Sequence, residues 1–159
     1  MTKHGDIDLV GHINLNRSMD VAAEKFIRLV EVLDRAEVSQ HVIVANEDLA
    51  KRVAIYPSVS MGPVTGSAVM AYCLMPRVDV VHAHGDQAGH AGLLLALTRS
   101  IPYVMTSDAG GSATGNHAQR AVSRRSMRQL DIGGRLDAGR VLRIYSRAVA
   151  RWRSKTMLV

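Results

Sequence analysis

Two histidines and an aspartate follow an apolar run in the middle of the chain, and their types and spacing could do chemistry. The run and the corner that ends it read Asp79-Val80-Val81-His82-Ala83-His84-Gly85-Asp86. Imidazole nitrogens bind divalent metal ions, and they also hydrogen-bond hydroxyl and phosphate groups. Residues 78–81 are predicted to form a buried strand and residues 88–97 a helix, so the corner lies where open α/β sheets bind ligands. The pattern predicts a binding site.

The elements around this corner follow a β-α repeat. Short apolar runs suited to buried strands alternate with amphipathic helices up to residue 106. The predicted strands cover 8–14, 41–45, 55–61, 78–82 and 102–106, and the predicted helices cover 20–36, 47–52, 68–74 and 88–98. Strands connected through helices pair in parallel by right-handed crossovers. The sequence therefore predicts an α/β fold, a Rossmann-like open parallel sheet with helices on both faces in a single domain.

Length and composition are typical of one globular domain. The 159 residues are 47% hydrophobic and 21% charged. The longest apolar stretch, 91–97, is too short to span a bilayer, and the N-terminus runs into an acidic residue rather than a signal-peptide core. Cys73 is the only cysteine, which excludes an intrachain disulfide. We expect a cytoplasmic protein.

The net charge of +6 is concentrated in the C-terminal third. Residues 110–159 carry eleven Lys or Arg against two Asp, a balance of +9. After a core of 8–106 we expect a mobile basic loop over 107–137 and a basic helix over 138–155. Four arginines on one side of that helix suit an anionic membrane surface, namely Arg140, Arg143, Arg147 and Arg151. Nucleic acid is a less favoured partner because no reading motif accompanies the charge.

One interpretation of the corner is a metal site. The His82-Ala83-His84-Gly85-Asp86 run resembles the HxHxDH signature of the metallo-β-lactamase superfamily, whose histidines and carboxylates hold zinc. Gln87 stands where that signature has its next histidine, and a neutral amide is a poor zinc ligand. The β-α order of the neighbouring elements also differs from that superfamily. We therefore expect no metal and no other cofactor, and a metal-dependent hydrolase using His82, His84 and Asp86 is the less favoured alternative.

A longer pattern extends on both sides of the corner. It comprises Asp79-Val80-Val81-His82-Ala83-His84, the helix at 88–98 and Ile101-Pro102-Tyr103-Val104-Met105-Thr106. This unit resembles the N-terminal, acceptor-side domain of family-4-like retaining glycosyltransferases of the GT-B type. The likeness extends to the opening strand at 10–15 and to the helix at 142–148, and it covers most of residues 8–150. It implies transfer of a sugar from a nucleotide-sugar to a glycan or lipid-linked acceptor.

The resemblance gives His84 the main role at the cleft. This residue matches the second histidine of the family's His-x-His, which lies near the reacting sugar and hydrogen-bonds donor or acceptor groups. Further candidates for sugar contacts, each of which can instead be structural, are His12, Asn16, Asp86 and Asp108. We expect His82 to point to the opposite face of the sheet and to be a buried structural histidine.

The chain departs from the family pattern in two places. The loop at 17–23 has no glycine and carries Asp20, which weakens the case for diphosphate binding there. The chain also ends about where the family continues into its donor half with the E-x7-E carboxylates. We therefore expect a protein partner or a second copy of the chain to supply that half, at the inner face of the membrane or in the cytoplasm. The alternative is a non-catalytic binding or assembly module of the same fold.

Overall fold

The computed structural model of the protein describes residues 7–106 and 136–156. Strands and helices alternate along the described chain. The strands are β1 (Leu9–Asn14), β2 (Ser39–Val44), β3 (Val59–Met61), β4 (Val80–His84) and β5 (Tyr103–Thr106). The helices are α1 (Val21–Arg35), α2 (Glu47–Val53), α3 (Ala68–Leu74), α4 (Asp86–Arg99) and α5 (Ala138–Thr156).

The five strands form one parallel sheet in the order β3-β2-β1-β4-β5. The chain builds outward from β1 to β3 and then crosses back to place β4 on the other side of β1. The strand order therefore reverses between β1 and β4, and such a reversal opens a crevice at the carboxyl ends of the two strands. The predicted Rossmann-like α/β fold is confirmed.

Helices cover both faces of the sheet, because strand residues point alternately to opposite sides. On one face Val10, Val42 and Val80 pack against α1, α2 and α5. On the other face Ile13 and Val81 pack against α3 and α4. Buried residues on both sides explain why the strands read as continuous apolar runs.

Two aspartate side chains accept hydrogen bonds from backbone N–H groups, one at the start of α1 and one at the amino end of the sheet. The Asp20 carboxylate accepts a hydrogen bond from the backbone N–H of Ala23 at 3.1 Å and so caps α1, which the sequence predicted over 20–36. At the opposite edge, Asp79 Oδ2 accepts from the backbone N–H groups of Asp8 and Leu9 at 2.8 and 2.9 Å. This carboxylate joins the start of β1 to the start of β4.

The strand at the corner differs from its predicted bounds of 78–82. It begins at Val80 and continues through His84, and α4 begins at Asp86 rather than at residue 88. The extension has a physical reason, because both neighbouring strands pair with the histidines: His82 lies opposite Val104 of β5, and His84 lies opposite Thr106. Gly85, with a φ of 81°, then makes the turn into α4.

The C-terminal helix agrees with its predicted range of 138–155. The basic loop predicted over 107–137 lies outside the described residues except for residues 136 and 137. Within 7–106 and 136–156, none of the helices combines the length and the apolar content that crossing a membrane requires.

Candidate functional site

Three histidines share one face of the sheet near its carboxyl edge, and we call them the histidine cluster: His12 of β1 with His82 and His84 of β4. In the register of these strands His12 lies opposite His82, and Asn14 lies opposite His84. The His82 and His84 rings stack with centroids 4.0 Å apart, and the His12 centroid lies 5.6 Å from that of His84. Nδ1 of His12 and Nε2 of His84 are 3.3 Å apart. The cluster thus lies on β1 and β4, the two strands between which the strand order reverses.

His82 is a buried structural residue, as predicted, but its predicted orientation is wrong. Its ring is fully buried, with Nδ1 2.7 Å from the Tyr145 hydroxyl and Nε2 2.5 Å from the Thr106 hydroxyl. It lies on the same face as His84, because residues two apart in a strand point to the same side. His82 therefore joins β4 to β5 and to α5.

His84 is the member of the cluster that reaches the surface. It is partly exposed, whereas His12 and His82 have no exposed area. The Phe26 ring of α1 and the His84 ring pack in a T-shaped arrangement, with centroids 4.6 Å apart. A ligand that enters the crevice from the carboxyl edge meets His84 first.

Burial keeps the cluster uncharged. Desolvation lowers the pKa of His12 to about 3, although an interaction with the Gln40 side chain partly offsets that shift. Desolvation also lowers the pKa of His82 and of His84 well below the usual value, and the neighbouring histidines lower both further. At neutral pH the three rings are neutral, so they exchange hydrogen bonds and do not act as cations.

His12, which the sequence placed among the candidate sugar contacts, lies behind His84. It is fully buried between β2 and β4, and its ring packs edge-on against Phe26 at 5.7 Å. A ligand in the crevice is separated from His12 by His84. His12 can therefore influence such a ligand through the 3.3 Å contact with His84.

Asn16 builds the loop that follows β1. Its Oδ1 accepts from the backbone N–H and the hydroxyl of Ser18 at 3.1 and 2.8 Å, and its Nδ2 donates to Asp20 Oδ2 at 3.0 Å. The hydrogen bond from the Ala23 N–H and, after it, the one from Asn16 Nδ2 lower the pKa of Asp20. A carboxylate of this chain therefore occupies the N-terminus of α1, where the macrodipole favours an anion.

The remaining predicted contacts are distributed over the carboxyl edge and α5. Asp86 is the exposed first residue of α4, two positions after His84. Asp108 lies outside the described residues. The four arginines of α5 all have exposed side chains, namely Arg140, Arg143, Arg147 and Arg151. Val141 and Tyr145 on the opposite side of that helix pack against the sheet.

The cluster has some features of a metal site. Each histidine offers a ring nitrogen within 4.8 Å of the others, and the 3.3 Å between His12 and His84 suits two ligands of one tetrahedral ion. Both nitrogens of His82, however, already face hydroxyl groups, and an ion bound to either nitrogen would displace a hydroxyl. In the described part of the chain, no carboxylate belongs to this group, so Asp86 is not its third ligand. The bonding is that of a hydrogen-bonded network.

Sequence reasoning missed three partners of the cluster, namely Gln40, Thr106 and Tyr145. Gln40 is fully buried, but it stands between Ser39 and His41 in the polar first half of β2, so the sequence does not single it out. Tyr145 lies on the apolar side of α5, where its ring looks like ordinary core. Its hydroxyl pairs with a residue 63 positions away, which no local pattern indicates.

No protein-family model matches the chain, and no curated protein matches it either. The carboxyl edge between β1 and β4, where the histidine cluster reaches the surface at His84, is therefore the candidate functional site.

Proposed function

We propose that this protein is the acceptor-side half of a retaining GT-B glycosyltransferase, which transfers a sugar from a nucleotide-sugar to a glycan or lipid-linked acceptor. One observation carries the proposal: His84 is the partly exposed member of a buried histidine cluster, at the carboxyl end of β4 and beside the point where the strand order reverses. Open α/β sheets bind ligands at that point.

The chemistry of His84 suits contact with a sugar. A neutral imidazole exchanges hydrogen bonds with hydroxyl groups without attracting a counterion. The Phe26 ring packs on His84 and is itself buried, so it fixes the imidazole from the core side and leaves the partly exposed side of His84 to a ligand. In this proposal His84 orients a hydroxyl of the donor or acceptor sugar, and charge on the departing diphosphate is stabilised by other groups.

We place those other groups on a donor-side half supplied by a partner. The N-terminus of α1 is capped by Asp20, and this carboxylate would repel a diphosphate approaching that loop. The exposed arginines of α5 suit anionic lipid headgroups, which would hold the protein at the inner face of the membrane beside a lipid-linked acceptor.

The test compares the chain purified alone with the chain purified together with the proteins that accompany it from cells. Each preparation is incubated with a panel of nucleotide-sugars, and binding is followed by calorimetry and sugar transfer by product release. We expect transfer by the accompanied chain. His84→Ala should abolish transfer, whereas His90→Ala, a matched loss of an exposed histidine on α4, should leave it unchanged.

Other outcomes assign the protein differently. Transfer by the chain alone would overturn the requirement for a partner. Saturable glycan binding without transfer in either preparation would instead indicate a non-catalytic binding module, and the Asp20 cap on α1 is the observation that favours this second candidate. Stoichiometric zinc that is lost in both His82→Ala and His84→Ala would indicate a metal-dependent hydrolase.

A further inference from the structure

Hydrogen bonds fix the orientation of the buried Gln40 side chain in β2. Its Nε2 donates to the backbone carbonyl of Val30 at 3.1 Å and to the Ser58 hydroxyl at 3.0 Å. The Val30 carbonyl can only accept, so the amide cannot be turned to place Oε1 there. Gln40 therefore presents Oε1, an atom that only accepts hydrogen bonds, on its other side.

The Gln40 side chain interacts with His12, which lies on the same face of the neighbouring strand. Within the described part of the protein, Nε2 of His12 and Oε1 of Gln40 are both buried and neither has a hydrogen-bond partner, so on these neighbouring strands each is available to the other. Because Oε1 of Gln40 is an acceptor, the favourable tautomer of His12 is the one that carries its proton on Nε2. The opposite tautomer would place two lone pairs against each other in a buried environment, where nothing else satisfies them.

The tautomer of His12 determines the direction of its contact with His84. Desolvation keeps the His12 ring neutral, so with the proton on Nε2 the other nitrogen, Nδ1, has no proton and can only accept a hydrogen bond. This nitrogen lies 3.3 Å from Nε2 of His84, which must then donate. The same desolvation keeps His84 neutral, so its single ring proton is used in this bond and its Nδ1 carries none.

We propose that Gln40 and His12 are positioning residues that hold His84 as its Nε2–H tautomer, so that Nδ1 of His84 accepts a hydrogen bond from a hydroxyl or N–H group of the ligand. The identity of that ligand as a sugar rests on the proposed function, whereas the tautomer does not. A neutral ring with an accepting nitrogen disfavours phosphate oxygens, which are themselves acceptors. The chain of bonds thus selects ligand hydroxyls over phosphate at this position.

The test reads the tautomers directly, in the full chain labelled with 15N-histidine. Two-bond nitrogen–proton correlation spectra separate Nε2–H, Nδ1–H and doubly protonated rings. We expect His12 and His84 to be Nε2–H at neutral pH, and His84 to keep this state when inorganic phosphate is added. Gln40→Met removes the accepting oxygen with little change in volume, and it should give His84 an Nδ1–H population.

Ser58→Ala is the matched control, since it removes the other partner of Gln40 and leaves the Val30 anchor in place. It should leave the His84 tautomer unchanged. An Nδ1–H form of His84 in the wild type would overturn the proposal, and so would an unchanged His84 in folded Gln40→Met. If Gln40→Met does not fold, the wild-type spectrum decides alone. The spectra need no sugar, so failure of glycosyl transfer leaves the tautomer proposal standing, and failure of the tautomer proposal leaves glycosyl transfer open.

Discussion

The hydroxyl of Tyr145 in α5 lies 2.7 Å from Nδ1 of His82 in β4, and both side chains are fully buried. This bond joins the C-terminal helix to a central strand of the sheet. Burial also raises the pKa of Tyr145, so the hydroxyl stays protonated and can donate or accept.

Removing that hydroxyl should destabilise the protein. Tyr145→Phe preserves the ring but leaves a buried His82 nitrogen without its partner, which costs about 1–3 kcal/mol. Urea denaturation of wild type and variant measures the change in free energy of unfolding. Tyr72→Phe is the matched control, because the Tyr72 hydroxyl pairs with Thr98 in an exposed setting, and its cost should be below about 0.5 kcal/mol. Equal losses in the two variants would contradict the structural role given to the Tyr145–His82 bond.

Stability should fall as the pH is lowered through the range between the unfolded and folded pKa values of the cluster. His12 titrates near 6.5 when unfolded and at about 3 when folded, so the unfolded chain binds more protons between these values. Within this range the free energy of unfolding falls by about 1.4 kcal/mol for each unit of decrease in pH and for each fully shifted histidine. Above pH 6.5 this dependence on pH ends. Unfolding measured from neutral to acidic pH gives the slope.

A variant pair isolates the contribution of the cluster to that slope. His12→Asn should make the acid dependence shallower, because one depressed group is gone. His90→Ala removes an exposed histidine of α4 and serves as the control. If His12→Asn left the slope as steep as in the wild type, the assignment of acid sensitivity to the cluster would be wrong.

Gly92 should not tolerate a methyl group, because α4 packs closely on β5 at this residue. An added Cβ would lie 2.9 Å from Cδ2 and 3.4 Å from Cγ of the buried Tyr103 ring. We expect Gly92→Ala to lower stability by about 1–3 kcal/mol, measured by thermal or urea unfolding. Gly139→Ala in α5 meets only flexible Asp137 and Arg143 side-chain atoms, at 3.3 and 3.5 Å, and should change stability by less than about 1 kcal/mol, toward greater stability. The reverse ranking would contradict the close packing of α4 on β5.

In the proposed membrane contact, the exposed arginines of α5 govern binding to anionic lipids. Replacing Arg143 and Arg147 together with Gln should weaken binding to phosphatidylglycerol vesicles by roughly 2 kcal/mol, about thirtyfold. Replacing Arg28 and Arg35, two exposed arginines of α1, is the control for a general loss of charge and should have a smaller effect. Sedimentation with vesicles measures both, and phosphatidylcholine vesicles should bind neither. Equal weakening by both pairs would indicate nonspecific attraction.

Hydrophobic periodicity predicted the elements well, because their apolar faces are regular. The α1 helix and its Asp20 cap, the α3 helix and the parallel order of strands and helices follow from local patterns that the structure satisfies. The end of β4 was misplaced since its last residues are polar, and polar residues after an apolar run look like a loop. Backbone pairing with β1 and β5 keeps those histidines in the sheet.

Only some of the residues that form the site could be predicted from the sequence. His84 followed from its place after an apolar strand, but its contact with His12 depends on β1 and β4 being neighbours, which is a property of strand order. Gln40 reaches the cluster from a third strand. Periodicity describes which face a residue lies on, and it does not identify the residue on the next strand.

The bond between Tyr145 and His82 has a consequence for dissecting the protein. The strand that carries His84 also carries His82, whose buried nitrogen needs a hydroxyl from a helix 63 positions further along the chain. A fragment ending after β5 would retain every histidine of the cluster and lose this support. The His-x-His corner is thus not a linear motif that can be transplanted or truncated, since its buried side is completed by Tyr145 of α5.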